Sequence, residues 1–304
     1  MDWQKVLFPV SIKSDYTNKC IGSTIYKNNG ENIDLENINT VFIAVEQGSN
    51  TLSNTLRHHL YSFRNFENFA HFADLGDYTL PKTIDQSHID ELGFIISDLI
   101  EKGIAVITYC NVSDFIQKAI DRAFEYLNTH YSAIESNISI AGNGDFGELH
   151  AKNWLSRHLS NPKSLMHYYA ILGYQSNHVA NDQLEFLQKM GFEAERLGNL
   201  KNSIQIAEPY IRSGNFLHFN YKSIKTSYTG LAHTYPNGFN GEEACAILKY
   251  AGANNQMQAV NLFAENWGQN NIGAEQFAQM IWYFMDGTQI GFEENPITDD
   301  KNYT

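Results

Sequence analysis

The sequence predicts an α/β fold around a mainly parallel sheet of about eight strands. Three observations carry that expectation. Short β-branched or apolar runs alternate with longer segments of helical periodicity, the signature of βαβ units. No internal repeat, low-complexity tract or Pro/Ser-rich linker divides the 304 residues. A hydrophobic fraction of 43% with only 6 prolines is that of a chain that buries one sizeable core.

Taken in order, Thr40 to Val45 reads as a buried strand, and Asn54 to Phe63 as a helix with Leu56, Leu60 and Phe63 at helical spacing. Phe72 to Asp77 is a short strand running into a turn. Ser87 to Lys102 is an amphipathic helix with Ile89, Leu92, Ile95, Ile96 and Leu99 inward, ended by Gly103. A strand over Ile104 to Tyr109 leads through Cys110-Asn111 into a helix from Val112 to Tyr126. Ile138 to Ala141 reads as the next buried strand, with Gly142 to Gly147 as its exit loop.

Beyond that loop, Tyr168 to Leu172, Glu193 to Arg196, Phe216 to Tyr221 and Gln258 to Ala264 are expected strands. They are interleaved with helices over Asp182 to Met190, Ser203 to Ile211, Gly241 to Ala251 and Ala274 to Gly287. The Asn-rich stretch Lys27 to Asn39 reads as a surface loop. The expected organisation is one domain, with residues 1–39 as extension and loop, 40–287 as core and 288–304 as tail.

A net charge of -13 disfavours phosphate backbones and anionic lipid as partners, and no basic stripe offsets it. No apolar run approaches the ~20 residues a membrane-spanning helix needs, and Met1 to Lys5 carries no Arg/Lys-rich leader. Cys20, Cys110 and Cys245 are far apart and form no C-x-x-C pair, so no disulfide framework or zinc knuckle is expected. A reducing cytoplasm fits this usage.

Ligands of parallel sheets bind beyond the carboxyl ends of the strands, which directs attention to Tyr109 to Asp114, Ala141 to Glu148 and Asn220 to Lys222. In chain order come Asp74-Leu75-Gly76-Asp77, Gly103 with its strand, Asp145-Phe146-Gly147-Glu148 and Ile171-Leu172-Gly173-Tyr174-Gln175. Pro236-Asn237-Gly238-Phe239-Asn240-Gly241-Glu242-Glu243-Ala244-Cys245 and Ala278 to Phe284 follow. Their order and spacing resemble the ureohydrolases (arginase, agmatinase and formimidoylglutamase), and within them the formimidoylglutamase branch.

That resemblance implies a three-layer α/β/α arginase-like fold and a trimer or hexamer. It also implies a pair of manganese ions held by six side chains: a His after a Gly-Gly turn, an Asp-x-His-x-Asp set and an Asp-x-Asp set. Several carboxylates are needed because two hard cations repel one another. A bridging hydroxide then attacks the guanidinium or formimino carbon. On this chain the Gly-Gly turn falls on Cys110-Asn111 and its His on Ser113, beside Asp114. The first acidic set falls on Ala141 to Asp145, with Asn143 at its centre, and the second on Asn220-Tyr221-Lys222. Only Asp145 keeps its acid, and Lys222 brings a cation to a metal position. Manganese is therefore expected to be absent, and Ser113, Asp114, Asn143, Asp145, Asn220 and Lys222 are expected to line the pocket left behind.

Each residue also has a plainer reading. Asp145 beside glycines reads as a cap of backbone N–H groups or as the one acid left for catalysis. Lys222 either pairs with Asp145 or points to solvent. His58-His59 on a helix face in different directions and read as surface residues. His218 reads as a core or pocket residue, and His233 lies in a loop that the resemblance places at the substrate mouth. Gly142 and Gly144 suggest a tight turn, and Trp282-Tyr283-Phe284 the core face of the last helix. Ser113 and Cys110 have no base placed beside them.

Three functions follow as expectations: a catalytically inactive relative acting as a scaffold or binding protein; a hydrolase of linear-amidine C–N bonds with an atypical or metal-free site; and a sensor of a small polar ligand held by Asn143, Asn220 and Asp145. The expected partners are a small polar ligand, a protein, or further copies of the chain.

Overall fold

The computed structural model describes residues 3–12, 16–31, 33–48, 51–66, 71–125, 127–140, 154–161, 165–230, 235–264 and 271–290. Among these residues, nine strands form one sheet: β1 (Tyr26–Lys27), β2 (Thr40–Gln47), β3 (Phe72–Leu80), β4 (Ala105–Cys110), β5 (Thr129–Ile134), β6 (Met166–Tyr174), β7 (Glu193–Arg196), β8 (Phe216–Asn220) and β9 (Ala259–Phe263). They lie in the order β1-β3-β2-β4-β9-β8-β5-β6-β7, every neighbouring pair parallel. Because β8 and β9 fill the gap between β4 and β5, exit loops far apart in sequence converge at the middle of the sheet.

Helices cover both faces, as the continuous burial of β2, β4 and β9 requires. On one face α2 (Gln86–Glu101) packs on α3 (Ser113–Ala123), and α3 on α4 (Trp154–Ser160). On the other, α1 (Thr51–Ser62) and α9 (Gly241–Ala253) flank α10 (Asn271–Thr288), and Phe277 of α10 meets Tyr109 of β4 at a ring separation of 6.2 Å. The remaining helices are α5 (Asn181–Lys189), α6 (Leu197–Asn202), α7 (Ala207–Arg212) and α8 (Thr226–Thr229). Among the described residues no helix is long and apolar enough to cross a membrane.

Most expected elements form within a few residues of their expected bounds, and Gly103 follows α2 with φ +76°, the left-handed conformation of a helix terminator. Five readings need correction. Residues 138–140 belong to no strand; the strand after α3 is β5. Ile138 and Ile140 are buried, so the apolar run is genuine, but burial alone does not put a backbone in the sheet. β1 begins the stretch read wholly as a loop and pairs with β3 at the sheet edge. The helix expected over Ser203 to Ile211 is a 3-10 turn at Ile204–Ile206 followed by α7, with α6 ahead of it. Tyr283 points outward, because only Phe284 of its aromatic cluster falls on the inner stripe of α10. The helix after β4 also stops at Ala123.

Arg57 anchors α1 to β3 from a fully buried position. Its Nε donates to Asp74 Oδ2 (2.7 Å), and Nη2 to Asp74 Oδ1 and the Gly76 carbonyl (2.9 Å each), while Nη1 donates to Asp77. Tyr61 donates its hydroxyl to Asp74 Oδ2 at 2.7 Å. A bidentate guanidinium with all three of its nitrogens donating is one of the few ways to hold two carboxylates away from water.

Candidate functional site

The parallel register places Cys110, Phe263 and Asn220 side by side at the carboxyl ends of β4, β9 and β8. Ile134 pairs with Phe219, so Glu135, the residue after β5, stands level with Asn220. Alternation then puts Thr108, Asn261, His218 and Ala133 in a second row beneath them on the same face, under α3.

This second row and Glu135 form a buried polar network. Thr108 donates its hydroxyl to Asn261 Oδ1 (2.9 Å), and the Asn261 amide donates to His218 Nδ1 (2.9 Å). That assignment leaves Nε2 as the N–H side of the imidazole, 3.3 Å from Glu135 Oε1. The second carboxylate oxygen, Oε2, accepts from the Ser139 hydroxyl at 3.0 Å. The Gln117 amide of α3 lies 3.1 Å from His218 Nδ1, and its own oxygen accepts from the Tyr131 hydroxyl at 3.1 Å. Glu135, His218, Asn261, Gln117 and Thr108 are all buried. His218 is thus a core residue in a hydrogen-bonded row.

The sequence-predicted positions meet this frame unevenly. Asn220 uses Oδ1 to accept from the Lys222 N–H (3.1 Å), capping the 3-10 turn Tyr221–Ser223. Lys222 is half-buried, with Nζ 5.7 Å from the centre of the Tyr221 ring. Ser113 and Asp114 open α3 through their backbone, but their side chains lie outside the described part, as do Asn143, Asp145, the Gly142 to Gly147 loop and His233. The Lys222–Asp145 pairing likewise falls outside the described residues. Asn111 ties β4 to β2, accepting from Gln47 N–H at 3.0 Å. His58 is exposed and His59 half-buried against Asn271 (2.8 Å), as surface residues.

Two strand-end groups are set by burial. The Cys110 thiol is fully enclosed and pushed up to about 12, chiefly by desolvation, which keeps it protonated. Glu46, near the end of β2 and 1% exposed, is pushed up to about 7 by burial even though Ser53 donates to it from N–H (3.0 Å) and hydroxyl (3.2 Å).

Glu135, Glu46 and the network escaped the sequence reading. The one available signal was the Tyr131-Ser132-Ala133 alternation ahead of Glu135, faint because β5 has β-branched residues only at its two ends, Thr129 and Ile134.

No protein-family model matches the chain, and no curated protein matches it by sequence. Solved structures do. Formimidoylglutamase from Bacillus subtilis superposes with TM-score 0.74 at 12% identity, covering 93% of this chain and 97% of that one. Formiminoglutamase from Trypanosoma cruzi with manganese gives 0.70 at 14% identity over 85% and 96%. Agmatine ureohydrolase of Thermoplasma volcanium gives 0.67 at 12% identity over 90% and 96%.

The manganese of the Trypanosoma cruzi structure fits the described residues of this chain poorly. Hard cations want free carboxylates, whereas here the Asn220 oxygen is committed to a backbone N–H, Lys222 adds a cation, Cys110 stays a thiol, and Glu135 is shared between Ser139 and His218. Among the described residues no group of three His, Cys, Asp or Glu side chains converges as a metal site. With its parallel sheet, strand order and near full-length superpositions, the chain has the arginase/ureohydrolase fold.

Proposed function

We propose that this arginase-fold chain works as a binding or scaffold protein and not as a manganese hydrolase. The observation that carries the reading is the exit of β8, where an Asp-x-Asp pair would face the metals. Asn220 there spends its oxygen on the Lys222 backbone, and the Lys222 side chain carries positive charge. An ammonium group repels a divalent cation where a carboxylate would attract it, and the low dielectric of a half-buried site magnifies the difference. Hydrolysis by a metal-bridged hydroxide needs both cations, so losing their ligands removes the nucleophile along with the metals.

The test is elemental analysis of protein purified without chelator and supplied with manganese, paired with assays on formimidoylglutamate, agmatine and arginine. The expected result is substoichiometric manganese and no turnover. Two tightly held metals per chain together with hydrolysis would overturn the proposal.

A further inference from the structure

We propose that the cleft at the exits of β6 and β7 is a binding site for a small molecule carrying two or more negative charges. The cleft has a volume of about 440 Å³, and its walls bring Arg196 and Lys201, from the continuous β7–α6 segment, together with Lys225, which follows β8. Tyr174, Ser176 and Asn177 are among the polar groups that line it with them. Among the described residues no Asp or Glu lines it. In a chain with 21 basic and 34 acidic residues, three converging cations without a lining carboxylate run against the overall charge.

Two of the three cations are not consumed by internal pairing. Lys201 alone has an ionic partner, Glu243 at 2.8 Å. Among the described residues the Arg196 guanidinium and the Lys225 ammonium have none. The acid nearest Arg196 in sequence, Glu195, is occupied elsewhere: Oε1 accepts from the Arg196 backbone N–H (3.0 Å) and the Asn199 amide (2.7 Å). Lys225 is half-buried, which raises the cost of leaving its charge without a counter-ion. A guanidinium fork matches carboxylate or phosphate oxygens bidentately, an ammonium supplies a second point charge, and the hydroxyl and amide groups between them serve a neutral polar portion.

The site lies to the side of the β4, β9, β8 and β5 exits and holds whether or not those exits support chemistry. The probes are inorganic phosphate and citrate, titrated into the intact protein by calorimetry at constant ionic strength, with chloride as the monovalent control. Saturable binding of at least one probe is expected, with an affinity in the micromolar to millimolar range. A phosphate response alone assigns a phosphorylated ligand, and a citrate response alone a polycarboxylate. Arg196→Gln and Lys225→Gln should each weaken that binding about tenfold, the loss of one charge-assisted contact. Lys189→Gln, outside the cleft, should leave it unchanged. Unliganded melting curves of all three variants should match the parent. Absence of binding by both probes, or binding unaffected by the two cleft variants, would overturn the proposal.

Discussion

Glu46 offers the most direct physical test of the strand-end electrostatics. Its carboxyl is raised from 4.5 to about 7, with burial the leading cause, the two Ser53 hydrogen bonds opposing it and the Asp77 charge adding to it. A carboxyl raised in the folded state keeps its proton where the unfolded chain has lost it. Its contribution to stability is therefore full below pH 4.5 and is lost as pH rises through about 7. At 1.36 kcal/mol per tenfold change the full effect is about 3 kcal/mol, of which about 2.5 kcal/mol falls between roughly pH 5 and pH 8. Glu46→Gln keeps an acceptor for Ser53 and cannot ionise. Urea unfolding of both proteins across that range cancels every other titrating group in the difference. The variant should gain about 2.5 kcal/mol relative to the parent on going from pH 5 to pH 8. A pH-independent difference, however large, reports only the packing of the amide. That outcome, or a difference of opposite slope, would refute the assignment of a protonated carboxyl at the end of β2.

Replacing Arg57 by Leu strands Asp74 and Asp77 without their counter-ion and should cost about 3–5 kcal/mol by denaturant titration; a cost near zero would mean that water reaches the pair. Glu135→Leu removes the acceptor of Ser139 and the partner of His218 Nε2, and should lower stability by about 1–3 kcal/mol. The His218 side-chain NMR signals should shift in the same variant, and unshifted signals would disprove the contact. In the native protein Cys110 and Cys245, both buried with thiols pushed up to about 12, should resist alkylation near neutral pH, while the half-exposed Cys20 reacts. Mass spectrometry of partially alkylated protein reads this directly, and early labelling of Cys110 would contradict its enclosure.

The α/β alternation could be read from the sequence because strands such as Thr40 to Val45 and helices such as Ser87 to Lys102 carry strong, opposed periodicities. β5 could not. Thr129 to Ile134 has modest hydrophobicity, and its burial comes from β6 and β8, which lie far along the chain. The stronger Ile138 and Ile140 drew the strand assignment beyond it and moved the expected exit loop away from Glu135. Arg57 was hidden in the same way, since next to His58-His59 it looks like part of a solvated helix face. Its counter-ions Asp74 and Asp77 were visible only as a segment of the family-like pattern. Lys225 meets Arg196 and Lys201 only through the tertiary arrangement of the strand exits, which no local pattern encodes.

The hydrogen-bonded row bears on more than stability. In the chain from Thr108 through Asn261 and His218 to Glu135, Thr108 donates to Asn261 and Asn261 to His218, whose Nε2 lies 3.3 Å from the Glu135 carboxylate, and Ser139 donates to that carboxylate at the far end. A cation arriving at Glu135 would have to displace the Ser139 hydroxyl and the His218 N–H, each then buried without an acceptor at about 1–3 kcal/mol. It would recover little in return, because the neighbouring Asn220 oxygen is already held by the Lys222 backbone. Substitutions that undo the network without adding charge, such as Ser139→Ala, would not by themselves make a metal site. Restoring acids at both Asn220 and Lys222 is the smallest change that alters the charge balance at the exit of β8, and calorimetric titration of that double variant with manganese should show heat of binding that the parent lacks. Equal, negligible heats from both proteins would mean that the charge at Lys222 is not what keeps cations from this exit.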